Sequence, residues 1–318
     1  MKRYLVTGGS GFIGSAIVKR LSSEGYFVRV FDNGFRNSGS DLSKLKNVEL
    51  HRGDIRSLED VTNATKKIDA IIHLAYINGT KYFYEFPELV LEVGVKGMIN
   101  VLDSAKTNRV KELYLASSSE VYQTPPIIPT PENVPFSIPD AYNPRFSYAA
   151  GKIISELLSL YIGKKIFKKV IIFRPHNVYG PNMGHEHVIP ELIGGIIKSN
   201  NKGTAHLTIQ GNGKNTRAFI YIDDFVDGVM ILLNKGANNE TYNIGNNEEI
   251  SILELVNKLS KLTGIKIKVS KSKLPQGSTM RRCPDITKIE KLGFKRKTST
   301  NDGLKKTYLW YNKDLNDE

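Results

Sequence analysis

A chain of 318 residues can form one large or two moderate domains, and 40% hydrophobic with 24% charged residues is the make-up of an ordinary water-exposed globular protein. No apolar run is long enough for a membrane span, the opening MKRYLVTGG enters a strand without a leader, and a lone Cys283 excludes an intrachain disulfide and suits a reducing cytoplasm. The net charge of +13 is spread over lysines in stretches such as KKIFKK and KLGFKRK rather than gathered in a basic arm, so neither nucleic acid nor membrane is an expected partner.

The first strand is predicted at 3–7 and a helix at 12–24, with VTGGSGFIG (6–14) between them. Gly8 suits the tight turn, Gly11 a close approach of backbone to a pyrophosphate, and Gly14 close packing of helix on strand; Phe12 and Ile13 complete the stretch. The helix N-terminus adds unpaired N–H groups for the phosphates. A second strand (27–32) ends at Asp32, where a carboxylate accepts hydrogen bonds from an adenosine ribose and repels a 2′-phosphate, which favours NAD over NADP.

Further along, strands at 48–52, 69–75, 110–116 and 169–174 alternate with helices at 57–66, 86–107 and 145–163. Strands separated by helices imply βαβ units and a parallel sheet covered on both faces, which fits the unbroken apolar runs AIIHLA and VIIF. The strand at 110–116 leads into SSSEVY (117–122); if the strand continued, Ser118 and Glu120 would face one way and Ser119 the other. A proline-rich surface loop follows over 123–144. After residue 179 the strands shorten (206–211, 265–270), whereas 219–233 reads as a strand and helix returning to the sheet. The expected fold class is α/β, a Rossmann-type doubly wound parallel sheet with a smaller mixed α/β C-terminal substrate domain. The expected dinucleotide domain is 1–178 with 219–240 returning to it, and the expected substrate domain is 179–218 with 241–318.

YAAGK sets Tyr148 and Lys152 at i and i+4 on one helix face. A phenol with a pKa of about 10 is a poor base at neutral pH, and a neighbouring ammonium lowers that value. Tyr148 is therefore a candidate to take a proton from a sugar hydroxyl as the cofactor is reduced. Two other groupings carry less. GHEH (184–187) lacks a third metal ligand, so no metal is expected, and the acidic pair Asp223 and Asp224 reads as a helix N-cap.

The motifs TGGSGFIG, GDI (53–55), HLA (73–75), SSSEVY, YAAGK, NVYGP (177–181), TRAFIYIDD (216–224) and RRCPDI (281–286) occur in this order. Together they resemble the extended short-chain dehydrogenase/reductases, specifically the NAD-dependent sugar-nucleotide epimerase/dehydratase group, over nearly the whole chain. The resemblance implies that Asp54 and Ile55 hold adenine, that Ala75 lines the nicotinamide path, and that Ser118 joins Tyr148 and Lys152 in catalysis. It further implies that Asn177, Arg217 and Arg282 bind the nucleotide diphosphate, and that Ser119 and Glu120 face the sugar. NAD is then a bound catalyst that oxidises the sugar to a 4-keto intermediate and is restored. Gly94 stands where an asparagine is common, Gly151 where a small polar residue is usual, and the loop 76–86 matches neither dehydratase nor epimerase text.

From sequence, 4-epimerisation of a nucleotide-diphosphate sugar is placed first. A 4,6-dehydratase or uronate decarboxylase using Glu120 comes second, and a non-enzymatic NAD-binding scaffold last. Helices 86–107 and 145–163 carry apolar stripes, and the resemblance implies that such helices pair across a two-fold axis, so a homodimer is expected.

Overall fold

A computed structural model describes residues 1–36, 41–274 and 277–317. Six strands, β1 (Arg3–Thr7), β2 (Phe27–Asp32), β3 (Val48–Arg52), β4 (Ala70–His73), β5 (Glu112–Ala116) and β6 (Lys169–Pro175), join a seventh, Glu240–Ile244, in one sheet. Starting from that seventh strand, the order is β6, β5, β4, β1, β2, β3, and every pairing is parallel. Alternate residues of the central strands feed two separate cores. Tyr4, Val6, Ile72, Tyr114 and Phe173 pack on one face, while Leu5, Ile71, Leu113, Leu115 and Ile172 pack on the other. Burial on both faces is the physical reason these strands read as continuous apolar runs.

Residues 241–244 were expected to begin the smaller domain, yet with Glu240 they pair in register with β6. Their strand, ETYNI, is an edge-strand sequence with an exposed start, so it lacks the apolar signature of its neighbours. The remaining chain forms small sheets: Val178–Tyr179 with Ile220–Tyr221; Thr216–Ala218 between Glu249–Ser251 and Arg281–Arg282; and Thr204–Gln210 with Lys266–Ser272.

The two helices that bear on the site are not uniform. The long one runs from Pro87 to Asn108 through a π turn at Glu92–Lys96. The other starts with a 3-10 turn at Pro144–Phe146, continues as Ser147–Leu158, and ends in a second π turn at Ser159–Gly163. Sheet order reverses at the β4–β1 boundary, and the carboxyl ends of the strands on either side of such a switch form a crevice. Thr7 and His73 close those two ends, with Thr7 Oγ1 and His73 Nδ1 2.7 Å apart.

Candidate active site

The crevice is a cavity of about 780 Å³ that reaches from the glycine turn to the end of β5. Gly8, Gly11, Phe12, Ile13, Gly14, Asp32, Asp54, Ile55 and Ala75 all line it. Gly8 has φ +67°, and a Cβ there would come within 2.9 Å of the Ala75 backbone. At Gly14 a Cβ would overlap the Gly8 carbonyl oxygen. The turn therefore needs glycine at both places and leaves a bare backbone floor ahead of the helix Phe12–Ser23. Asp32 accepts the Ser10 N–H at 3.0 Å and the Gly34 N–H at 2.8 Å, which fixes its carboxylate at the mouth of β2. Asp54, proposed for adenine, turns its carboxylate to Arg56 Nε and Nη2 at 3.0 and 2.8 Å, and that guanidinium holds it below the usual carboxylate range.

At the other end, Tyr148 and Lys152 project from one face of the helix Ser147–Leu158. Lys152 is buried, its Nζ donates to Ala116 O at 2.7 Å, and burial draws its pKa down to about 7 against the opposing pull of Glu156. Glu156 lies one turn further on and is held by Arg174 through two hydrogen bonds of 2.8 and 2.7 Å. Burial raises the Tyr148 pKa above its ordinary value, with a hydrogen bond to Ser118 pulling the other way. The expected depression by Lys152 does not appear: Lys152 Nζ lies 5.7 Å from the Tyr148 ring centroid, and desolvation outweighs it. In this state the phenol keeps its proton.

Tyr148 is stacked on Phe83 (centroids 5.0 Å apart, planes at 24°) and meets Tyr76 edge-on (5.1 Å, 82°). A Cβ at Gly94 or at Gly151 would overlap the Tyr76 hydroxyl. The two departures from the family text are thus one event: Tyr76, from the same unmatched loop, fills the volume that side chains at 94 and 151 would occupy.

The strand ends at Ala116, and Ser119–Tyr122 form a 3-10 turn capped by the Ser118 side chain, which accepts the Glu120 N–H at 3.1 Å. Strand alternation does not extend this far, so Ser118, Ser119 and Glu120 all line the cavity together instead of facing opposite ways. Glu120 accepts Arg282 Nη1 and Nη2 at 2.6 and 3.2 Å. Burial works against its charge, but Arg282, Arg145 and Arg217 outweigh that and hold its pKa down at about 2. Arg282 also donates to Thr279 Oγ1 at 3.0 Å.

Arg217 is not among the residues that line the cavity; it donates to the carbonyls of Thr216 and Thr279 at 2.7 and 2.8 Å, and is pulled to about 10 by burial and by Arg282. Asn177 lines the cavity in the left-handed region (φ 42°) and donates to Ala218 O at 3.1 Å. Arg145, within the 3-10 turn that precedes Tyr148, also lines the cavity. Sequence reasoning passed over it because a lone arginine after a proline loop carries no spacing signal.

Asp223 and Asp224 lie in the first turn of the helix Ile222–Lys235, but the N-cap is Tyr221. Asp224 is buried and accepts the N–H groups of Lys297 and Thr298, both at 3.0 Å, so it ties down the C-terminal segment and caps nothing. In GHEH, Glu186 pairs with Arg36 and His185 packs on Tyr311; among the described residues no cluster could hold a metal.

Residues 4–245 match the family model described as NAD dependent epimerase/dehydratase family. The chain belongs to that family. The UDP-glucuronic acid decarboxylase 1 of Xenopus tropicalis is 31% identical over 99% of this chain and 73% of its own length. The UDP-N-acetyl-alpha-D-glucosaminuronate decarboxylase of Bacillus cytotoxicus is 30% identical over 99% of both chains. Among solved structures, the UDP-glucose 4-epimerase of Thermotoga maritima, with UDP-glucose, superposes with a TM-score of 0.88 at 25% identity over 98% of this chain and 99% of its own. The dTDP-glucose 4,6-dehydratase DesIV of Streptomyces venezuelae, with NAD bound, reaches 0.89 at 28% identity over 99% of this chain and 98% of its own.

The protein is thus an NAD-dependent, nucleotide-sugar-modifying enzyme of the extended short-chain dehydrogenase/reductase type. The bare glycine floor, the fixed Asp32 carboxylate and the buried Tyr148–Lys152 pair fit that cofactor. Among the described residues no helix is long and apolar enough to cross a membrane.

Proposed function

We propose that this enzyme takes a nucleotide-linked uronic acid and removes its C6 carboxylate by way of a 4-keto intermediate. The observation that carries this reading is the set of guanidiniums around Glu120. Arg145 and Arg282 line the sugar end of the cavity beside Ser118 and Tyr148, and Arg217, outside the lining, acts on the same Glu120 carboxylate. Three cations face one carboxylate. Arg145 and Arg282 line the cavity, and a guanidinium there is the group that an anionic substrate group would meet.

NAD, when bound, supplies the acceptor that oxidises C4 and later reduces it again. Tyr148, shifted toward phenolate by the positive charge that NAD brings when bound, receives the C4 hydroxyl proton, and Ser118 donates to the developing oxygen. A ketone at C4 of a uronate is β to the C6 carboxylate, so the C5–C6 bond can break with its electron pair delocalised onto the C4 oxygen. The Tyr148 and Ser118 hydroxyls stabilise that oxyanion until C5 takes up a proton from water. Carbon dioxide leaves, and Tyr148 returns its proton to O4 as C4 is reduced.

Dehydration fits less well. It needs a base for the C5 proton and an acid for the departing C6 oxygen. Glu120, held ionised at about 2, is a weak base, and its neighbour Ser119 is no acid. The sequence placed 4-epimerisation first. It remains the second reading because Tyr148, Ser118 and the cofactor suffice for it, and epimerases share the fold at a TM-score of 0.88.

The diphosphate is assigned to Asn177 and adenine to Asp54 and Ile55, whereas Arg217 and Arg282, expected at the diphosphate, are engaged with the Thr216 and Thr279 carbonyls and with Glu120; the cytoplasm suits the buried, lone Cys283. A homodimer is proposed from the exposed Ile99, Ile154, Leu157, Tyr161 and Ile162 on the two site-bearing helices and the π turn that follows. The test is incubation of the NAD-loaded protein with UDP-glucuronate, its N-acetylglucosamine analogue and UDP-glucose, read by product mass. Loss of carbon dioxide from a uronate supports the reading. An isomer of unchanged mass selects epimerisation, and faster turnover of UDP-glucose overturns the uronate assignment.

A further inference from the structure

Lys152 is almost fully buried and its Nζ makes one hydrogen bond among the described residues, to Ala116 O. Beside that bond stands the Tyr76 ring: Lys152 Nζ lies 4.1 Å from its centroid, against 5.7 Å for Tyr148. Tyr76 in turn meets Tyr148 edge-on, so one ring touches both partners of the oxidation step. Its hydroxyl is buried without a hydrogen-bond partner, which leaves the ring as the working part.

We propose that Tyr76 is the positioning residue of the oxidation site: its ring, admitted between two helices by Gly94 and Gly151, holds the Lys152 ammonium and sets the Tyr148 ring. The inference concerns a step common to all reactions of the family and stands whichever sugar is turned over.

The groups facing Lys152 limit the alternatives. From its own helix come Tyr148 and Glu156, and Glu156 is already committed to Arg174. From β4 comes His73, which burial, with Lys152 adding to it, keeps neutral with a pKa of about 3. From the end of β5 comes the Ala116 carbonyl, which accepts from its Nζ. The face of an aromatic ring close to a desolvated ammonium favours the charged form. Removing the ring lowers the Lys152 pKa further, so the cation is lost at a lower pH.

The experiment uses NAD-loaded protein with isotope-labelled lysines, in which Lys152 is identified by its disappearance in Lys152→Arg and titrated by NMR. Tyr76→Leu should move its midpoint down by about one pH unit, and Tyr76→Phe, which keeps the ring, should leave it in place. The pH profile of cofactor reduction on adding nucleotide sugar should shift in the same direction in Tyr76→Leu. An unchanged midpoint in Tyr76→Leu reduces Tyr76 to filler and overturns the proposal. Should that variant not fold, ring-fluorinated phenylalanines at position 76 keep the shape while weakening the ring's hold, and the midpoint should fall with fluorine content.

Packing gives an independent check. At Gly151 the hydroxyl is the clash and the ring carbon Cζ lies 3.2 Å from the Cβ position, so Tyr76→Phe should rescue the stability lost in Gly151→Ala. At Gly94 the ring carbons overlap as well, so Gly94→Ala should be rescued by Tyr76→Leu and not by Tyr76→Phe. Rescue of both by Tyr76→Phe would mean that the ring does not lie between the helices, and would also overturn the proposal.

Discussion

Glu120 and Arg282, 162 positions apart in the chain, meet through two hydrogen bonds of 2.6 and 3.2 Å at the sugar end of the cavity. The pair joins the turn after β5 to the short strand Arg281–Arg282 and so links the large sheet to the C-terminal part. Because the folded pKa of Glu120 lies below its ordinary 4.5, the stabilisation is fully present above about pH 4.5 and is lost as pH falls through about 2. Glu120→Gln should remove this acid-limb loss, worth ~2–3 kcal/mol, in denaturant titrations run across that range. The variant should still form NADH transiently with substrate. A fall in product of about 10²-fold or more with oxidation intact would return Glu120 to the role of general base.

Tyr148→Phe keeps the packing on Phe83 and Tyr76 and deletes the proton acceptor. Turnover should drop by roughly 10²–10⁴ while NAD affinity and thermal stability hold. Rapid mixing that still shows cofactor reduction at the parental rate would place the proton acceptor elsewhere.

The sheet, its helices and the cofactor end were legible because they follow from local rules. Continuous apolar runs mark strands buried on both faces, and a glycine turn between strand and helix marks the phosphate site. Tyr148 and Lys152 were legible through helical spacing. The Glu120–Arg282 pair was not, because it depends on tertiary placement of residues far apart in sequence. Arg145 was missed for want of any spacing signal. Gly94 and Gly151 showed as oddities in sequence; only three dimensions reveal that Tyr76 occupies the space above both. The strand Glu240–Ile244 escaped because an edge strand lacks the apolar run of a central one.

Asp32 is fixed by two backbone N–H groups at the end of β2, so it cannot easily swing away from a 2′-phosphate. NAD should bind at least about tenfold more tightly than NADP, equivalent to about 1.4 kcal/mol. Asp32→Ala should narrow the gap by removing the like charge. Calorimetry with both cofactors decides, and equal affinities for the parent protein would refute the assignment.

The last prediction concerns assembly. Ile154 and Leu157 leave 38% and 40% of their surface exposed on the helix whose inner face carries Tyr148 and Lys152. Ile99 on the neighbouring helix and Tyr161 in the π turn extend the same apolar composition, at 43% and 62% exposed. Two helices from each of two copies would cover these groups across a two-fold axis, and an isologous contact of this kind closes at the dimer. Sedimentation equilibrium should therefore give twice the 35.6 kDa chain mass. Leu157→Glu places a charge in the proposed contact, where its desolvation has no compensating partner, and should shift the protein to monomer. The catalytic residues on the opposite face of the same helix make activity a second readout, because loss of the contact removes support from that helix. A parent protein that sediments as a monomer at every concentration would leave the exposed stripe unexplained by self-association.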